Sequence, residues 1–406
     1  MPAQQRTTPL EAPASRAAGS PVHVGGPNLG DRAAFDRYID QIFGTRRLSN
    51  GGPLVQELED RIAELLGVRH AIAVVNGTVG LQLAARALGL SGEVIVPSYT
   101  FVATAHALSW IGLTPVFADI DDLTHTLDPL AVSRAITPAT SGIVAVHLWG
   151  RPAAVERLQK VADDHGLELV FDAAHAFGVS HNGRMIGSFG RAEVFSFHAT
   201  KFFNTFEGGA VTTDDDDLAE RLRRLRNFGF QGLDDVGGEG TNGKMPEICA
   251  AMGLVNLDAI ESFVQTNRLI HATYRRALAR VPNVRLLEFP PGEAANYQYA
   301  VLEVEDGDPQ LRDRVIDALR AENVMARRYF WPGCHRMAPY ADQVPGAGEW
   351  LPVTELVAGR VIVLPTGTAM TPERAEAVVG IVDAVVSTAA SDRRLAALTG
   401  PQGEDS

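Results

Sequence analysis

The sequence predicts an α/β protein, with a mostly parallel sheet covered by helices on both faces and a smaller α+β region after it. Three observations carry this. Short apolar runs such as Val94-Ile-Val96 and Ile143-Val-Ala-Val146 alternate with helical periods, as strands buried on both faces do. Several of these runs end abruptly in a polar residue, Asp119, His147 and Asp172 among them. Beyond a long helical period starting near residue 261 the alternation changes to strand, helix, two strands and a closing helix. With 406 residues, 46% of them apolar and 21% charged, the chain is globular in composition and longer than one typical core.

Residues 1–20 are rich in Ala, Pro, Gln and Thr and lack an apolar period, so they read as an unstructured tail, and 391–406 read the same way. The large domain is expected over 21–260 and the small one over 261–390. Asp31 is a plausible N-cap for a helix that puts Phe35, Tyr38, Ile39 and Ile42 on one face. The breaker Leu48-Ser-Asn-Gly-Gly-Pro53 ends in a proline suited to the first turn of the next helix, which stops near Gly67. Strands are expected at 71–75, 94–96, 115–118, 143–146 and 167–171, with helices over 81–88, 102–111 and 153–165 between them. Strand 210–213 and helix 218–226 follow, then a Gly- and Asp-rich loop over 231–243. A helix through Ile248, Met252, Val255 and Ile260 leads into a long one over 261–279. The small region is expected as strand 297–304, helix 309–322, strand 324–329, strand 360–364 and helix 372–388, the last capped by Thr371 with Pro372 at its first position.

The net charge of −13 argues against a nucleic-acid or anionic-membrane partner, since both need a basic surface. Cys249 and Cys334 are too few for a disulfide scaffold, so a reducing cytoplasm fits. No apolar run reaches membrane-spanning length, and the N-terminus lacks the apolar core of a signal peptide.

Chemistry concentrates in Phe195-Ser-Phe-His-Ala-Thr-Lys201 and the Glu207-Gly-Gly209 turn after it. Lys201 is the only lysine between Lys160 and Lys244, with aromatic residues on both sides. Burial lowers a lysine pKa, and a neutral amine is what Schiff-base chemistry needs. The plainer alternative is an exposed loop lysine with aromatics behind it. Asn76-Gly-Thr-Val-Gly80 joins a strand to a helix and reads as a capped turn or as an anion site on free backbone N–H groups. Asp172-Ala-Ala-His175 follows a buried strand. A carboxylate there stays ionised beside a cation such as a pyridinium nitrogen, and His175 could donate to a phenolate oxygen. The alternatives are an Asp cap with a core histidine, or a metal site from His147, Asp172, His175 and His198; the latter ranks last because the ligand spacing is wrong. Gly238-Glu-Gly-Thr-Asn-Gly243 matches a dinucleotide fingerprint by letter, but no strand precedes it. A phosphate cup, an aspartate at a strand end and an activated lysine together are the parts that hold pyridoxal 5′-phosphate.

These motifs resemble the DegT–StrS nucleotide-sugar aminotransferases. The likeness rests on Ser196-Phe-His-Ala-Thr-Lys201, Glu207-Gly-Gly209, Phe171-Asp-Ala-Ala-His175, Asn76-Gly-Thr78, Pro97-Ser-Tyr-Thr-Phe101 and Gly240-Thr-Asn-Gly-Lys-Met245, and runs from about Val24 to Ser387. It implies the fold-type I architecture of pyridoxal-phosphate enzymes, with a seven-stranded sheet, a small C-terminal domain and a homodimer with shared active sites. It makes Lys201 the covalent anchor of the cofactor and Asp172 the partner of its ring nitrogen. His175, where the family more often has Gln, stands near the ring oxygen, and Phe101 stacks on the ring. Gly77, Thr78 and Ser196 hold the phosphate, and Asn242 reaches it from the other subunit. No metal is implied. Relatives with His at the lysine position dehydrate sugars, and Lys201 argues against that activity here.

Within the family, 110–120, 147–152 and 329–335 look most like the enzymes that aminate C4 of dTDP-4-keto-6-deoxyglucose, with glutamate as the usual donor, in desosamine-type pathways. Tyr329 and His335 are candidate substrate contacts, and Arg327 to His335 a candidate pyrophosphate cradle. The alternatives are a 3-aminotransferase of a dTDP-3-keto sugar and a non-catalytic nucleotide-sugar-binding regulator.

Overall fold

The structure, a computed structural model, describes residues 20–305 and 309–398. The expected tail over 1–20 lies outside these apart from Ser20.

A short strand, β1 (Val22–His23), precedes helix α1 (Arg32–Thr45), whose N-cap Asp31 accepts from Ala33 N, and α2 (Pro53–Leu66), which has Pro53 in its first turn. Then come β2 (His70–Val74), α3 (Gly77–Ala87), β3 (Glu93–Pro97), α4 (Ala103–Trp110) and β4 (Thr114–Ala118). The next run is α5 (Pro129–Ala135), β5 (Thr140–Val146), α6 (Val155–His165) and β6 (Glu168–Asp172). A small hairpin of β7 (Ser180–His181) and β8 (Arg184–Met185) leads to β9 (Ala192–Ser196), β10 (Gly209–Thr213) and α7 (Asp216–Arg226). Helix α5 was not expected, although Asp128 caps it and Pro129 opens it, a start signal present in the sequence.

The seven strands lie in the order β2-β10-β9-β6-β5-β3-β4, with β10 antiparallel to both its neighbours and the remaining pairs parallel. One face is covered by α3, α4 and α7. Opposite lie the Phe177–Phe195–Phe197–Phe203 cluster and residues from α1 and α2, with α8 (Glu247–Asp258). Burial on both faces is why the middles of these strands are mostly apolar, with Glu193 and Thr212 buried and hydrogen-bonded as exceptions.

Helix α9 (Ile260–Leu278), separated from α8 by Ala259, carries the chain to a second core. There β11 (Val284–Leu286), β12 (Ala300–Val304) and β14 (Val361–Leu364) form an antiparallel sheet in the order β11-β12-β14. Helix α10 (Pro309–Ala321), strand β13 (Val324–Met325), α11 (Tyr340–Gln343), α12 (Pro352–Arg360) and α13 (Pro372–Leu398) complete the chain.

Four expectations are corrected here. The strand expected over 297–304 begins at Ala300, because Tyr297 takes a positive φ of 49° that no strand allows. Only Val324 and Met325 of the strand expected over 324–329 are paired, with β1, and the chain then leaves the sheet after a single bridge from Arg327 to Val363. Arg360 ends α12 instead of opening a strand. The segment expected to be unstructured from Ser391 is helical to Leu398 as part of α13, and 399–406 lie outside the described residues.

Packing crosses the sequence boundary at 260 in both directions. Val22 belongs to the second core, while Cys334, Tyr340, Ala347 and Leu351 are built into the first, beneath α3 and α4. Among the described residues no helix is long and apolar enough to cross a membrane.

Candidate active site

The carboxyl ends of the parallel strands open onto a cavity of about 380 Å3, within the roughly 300–1,000 Å3 usual for small-molecule sites. Its wall contains Gly77, Thr78, Phe101, Asp172, His175, Ser196, Lys201 and Tyr329, eight of the ten residues the sequence singles out. Asn242 and His335 are not among the lining residues.

Lys201 follows β9 in a tight turn in which its N–H donates to His198 O at 2.8 Å. Burial pushes its ammonium down to about 8 against the pull of the Asp172 charge. Half-buried and set in the cavity wall, Lys201 is not the exposed loop lysine of the alternative. Asp172 ends β6, buried and accepting from Thr104 Oγ1 at 2.8 Å and Ala174 N at 3.1 Å. Burial nevertheless raises its carboxyl, since these two bonds and the charge of Lys201 do not offset the lost water. A cation against this carboxylate would reverse that balance.

His175 is buried and held neutral, pushed well below the usual histidine range by burial and then by Lys201. Trp149 N donates to its Nδ1 at 3.3 Å, so the neutral ring carries its proton on Nε2 and is a donor there. The ring lies stacked with Phe330, their planes 10° apart.

At the start of α3, Asn76 Oδ1 accepts from Val79 N and Asn76 O from Gly80 N, which leaves the Gly77 and Thr78 N–H groups at the cavity wall. Ser196 stands across from them. A Cβ on Gly77 would lie 3.1 Å from Ser196 Cβ, and one on Gly209 would lie 2.5 Å from Phe195 O. Gly209 is needed for this close approach of backbones, and a side chain at Gly77 would crowd Ser196. Phe101 is 57% exposed, a bare ring face beside Phe330.

His335, expected as a substrate contact, is buried elsewhere, with Nδ1 2.7 Å from Ser98 Oγ and Nε2 2.6 Å from Glu355 Oε1. Both ring nitrogens are used, so the residue is structural. The arginines of the expected pyrophosphate cradle differ from one another, Arg327 being exposed and Arg328 half-buried. Arg327 lies over the Tyr329 ring, and Arg328 pairs with Asp313 at 3.3 Å. Asn242 is exposed on the loop after α7, bridged to Asn227. Of the three strand-end residues, Asp172 alone faces the cavity. Asp119 accepts from Val353 N and Thr354 N to cap α12, and His147 is held by Glu193 and Ala153 N. The metal alternative fails on this geometry, because His147 has no free ring nitrogen.

Thr104, in the first turn of α4, was missed; its hydroxyl is 3.1 Å from that of Thr100 in the loop before the helix. His198, Glu207, Tyr299 and Phe330 also line the cavity, and nothing local in the sequence marks the last two.

A model of the DegT/DnrJ/EryC1/StrS aminotransferase family matches residues 31–383. The chain belongs to this family. The aminotransferase is 38% identical over 355 residues to the dTDP-4-amino-4,6-dideoxy-D-glucose transaminase of Escherichia coli, covering 87% of this chain and 95% of the relative. It is 36% identical over 357 residues to the dTDP-3-amino-3,4,6-trideoxy-alpha-D-glucose transaminase of Streptomyces venezuelae, covering 87% and 92%. The solved structure of DesI in the presence of its TDP-sugar product is 51% identical, with a TM-score of 0.87, covering 93% of this chain and 97% of that one.

Pyridoxal 5′-phosphate is the cofactor of these enzymes, and the cavity fits it. An anion suits the Gly77 and Thr78 N–H groups with Thr78 and Ser196 hydroxyls beside them. A protonated ring nitrogen suits Asp172, an oxyanion suits the Nε2–H of His175, and an aldehyde suits the lowered amine of Lys201.

Proposed function

We propose that the aminotransferase moves an amino group from L-glutamate to C4 of dTDP-4-keto-6-deoxy-D-glucose. The products are 2-oxoglutarate and dTDP-4-amino-4,6-dideoxy-D-glucose, a step of deoxysugar biosynthesis for a secondary metabolite in the cytoplasm. The observation that carries the substrate class is the 51% identity, over nearly the whole chain, to a protein determined with its TDP-sugar product. The E. coli relative, named for a 4-amino sugar, supports C4.

Bound pyridoxal phosphate supplies an electron-accepting ring that stores the amino group between donor and acceptor. The protein's residues do the rest. Lys201 holds the cofactor covalently. Freed by the donor, its amine carries the proton to and from the carbon that loses or gains the amino group. A pKa of about 8 leaves a usable neutral fraction at neutral pH, where an ordinary lysine has almost none. Asp172 keeps the ring nitrogen protonated, and Thr104 keeps Asp172 in place. His175 Nε2–H donates to the ring oxygen. The first turn of α3 with Ser196 fixes the phosphate, and Phe101 covers one ring face. Binding energy for the sugar comes largely from the nucleotide diphosphate, remote from the reacting carbon.

The assembly is read as a homodimer with shared sites. Asn242 is exposed and lies outside its own chain's cavity, as a residue serving a neighbouring site would. Mixing inactive Lys201→Ala and Asn242→Ala chains under verified subunit exchange should restore part of the activity, and no regain refutes that role. The reaction is tested by incubation with glutamate, cofactor and either the 4-keto or the 3-keto isomer of dTDP-6-deoxyglucose, with the aminated carbon read by NMR. Amination at C3 would overturn the regiochemistry and favour the alternative, a 3-aminotransferase.

A further inference from the structure

The donor on His175 depends on which ring nitrogen carries the proton, and that choice is made outside the cavity. Trp149 supplies the backbone N–H that occupies His175 Nδ1, and it does so from a left-handed conformation, φ 63°, costly for a bulky residue. Something must hold it there. The indole Nε1–H, which can only donate, points to His125 Nδ1 at 3.3 Å. His125 therefore has its own proton on Nε2, 3.0 Å from Glu303 Oε1. His125 too has a positive φ, 61°.

Glu303 lies on β12. Burial alone would raise its carboxyl, but His125, Arg360 and Arg285 outweigh burial and hold it at about 2, so it stays a carboxylate. Arg360 Nε donates to Oε1 at 2.7 Å and Arg285 Nε to Oε2 at 2.8 Å. A second contact from the same region fixes the backbone of His175, where Asn296 Nδ2 donates to His175 O at 2.8 Å. The intervening Gly150 has φ 76°, and a Cβ there would meet Asn296 Oδ1 at 2.9 Å and His175 O at 3.0 Å. Every donor in this chain has one available polarity. It starts at an ionised glutamate of the small region and ends at the cavity.

We infer that His125 is a positioning residue for the reaction: Glu303 keeps its Nδ1 an acceptor, that acceptor holds Trp149, and the Trp149 N–H sets the tautomer of His175. Glu303 of the small region thereby bears on the chemistry from outside the cavity wall. This rests on the assignment of His175 to the cofactor's ring oxygen, but the tautomer itself is readable without substrate.

The test is 15N NMR of the full chain labelled in histidine, with and without pyridoxal phosphate, the His175 signals being assigned by their loss in His175→Gln. Wild-type protein should show a single Nε2–H tautomer at His175. Two substitutions divide the relay. His125→Asn keeps an acceptor near the Nδ1 position and loses Glu303. His125→Gln reaches Glu303 and loses the acceptor for Trp149. The Asn variant should keep the His175 signature, and the Gln variant should show both tautomers. In the Gln variant kcat should fall about tenfold, with KM for the keto sugar within about twofold and a shifted absorbance of the bound cofactor. A wild-type His175 that is mixed or protonated on Nδ1 overturns the inference even if neither variant folds. So does a folded Gln variant with the wild-type His175 signature. Neither outcome bears on which sugar is aminated.

Discussion

The floor of the cavity and the wall facing it come from different kinds of chain. Asp172, Ser196, Lys201 and the first turn of α3 sit where neighbouring strands of one sheet stop, so the sheet places all of them at once. Tyr329 and Phe330 arrive on a strap that leaves β13 and is pinned to the large sheet by separate bonds. Tyr99 Oη donates to Tyr329 O at 2.6 Å, Cys334 N to Ser98 O at 2.9 Å, and His335 N to Ser98 Oγ at 3.0 Å. A floor side chain can be lost without moving the sheet, whereas a pin lost from the strap moves what the strap carries. Floor variants should therefore alter kcat in a folded protein, and strap variants should alter KM and stability together.

The largest effect is expected at Lys201. Lys201→Ala should fold, lose the covalent cofactor absorbance and lower kcat by about 10,000-fold or more, roughly 5.5 kcal/mol. Lys201→Arg should fail as well, since a guanidinium stays protonated. Turnover near wild type in either would remove the lysine from the chemistry.

Asp172→Asn should still bind the cofactor but lower kcat by about 100- to 1,000-fold, roughly 2.7–4 kcal/mol, as other preorganised charges do. A loss below about tenfold in single-turnover experiments would mean that the carboxylate only supports the strand end.

The strap is tested by Ser98→Ala, which strands the His335 N–H and leaves Nδ1 without its partner. Unfolding by urea should show a loss of about 1–3 kcal/mol. KM for the sugar nucleotide should rise severalfold while kcat changes less than about twofold. A fall in kcat with unchanged KM would erase the distinction between floor and strap.

The smallest effect separates function from stability at the floor itself. The folded pKa of Lys201, about 8, lies below its ordinary value of 10.5, so the unfolded chain binds more protons between the two. Charged Lys201 therefore costs the cofactor-free protein stability fully below pH 8, and the cost vanishes as pH rises past 10.5. Lys201→Met should raise the Tm of cofactor-free protein at pH 7 by roughly 1 °C for each kcal/mol recovered. The gain should shrink steadily above pH 8. A Tm gain that is unchanged at pH 10.5 would assign it to packing.

The sequence by itself determined the sheet, most of its helices and the floor of the site. These are local properties. A strand buried on both faces is mostly apolar, so the polar residues Asp172 and Ser196 mark the ends of β6 and β9, and the Asn76-Gly-Thr turn comes just after β2. Local pattern also named Asp119 and His147 in the same terms as Asp172, and could not tell a residue that caps α12 or pairs with Glu193 from one that faces a cavity. Tertiary structure alone decided that, because the partner lies on another element. It also decided that His335 is a pin rather than a substrate contact, that Tyr299 and Phe330 line the cavity, and that Glu303 reaches His175 through His125 and Trp149. Hydrogen bonds between residues far apart in the chain leave no periodicity behind them. They exist only once the two cores have packed and burial has made each unpaired polar group costly.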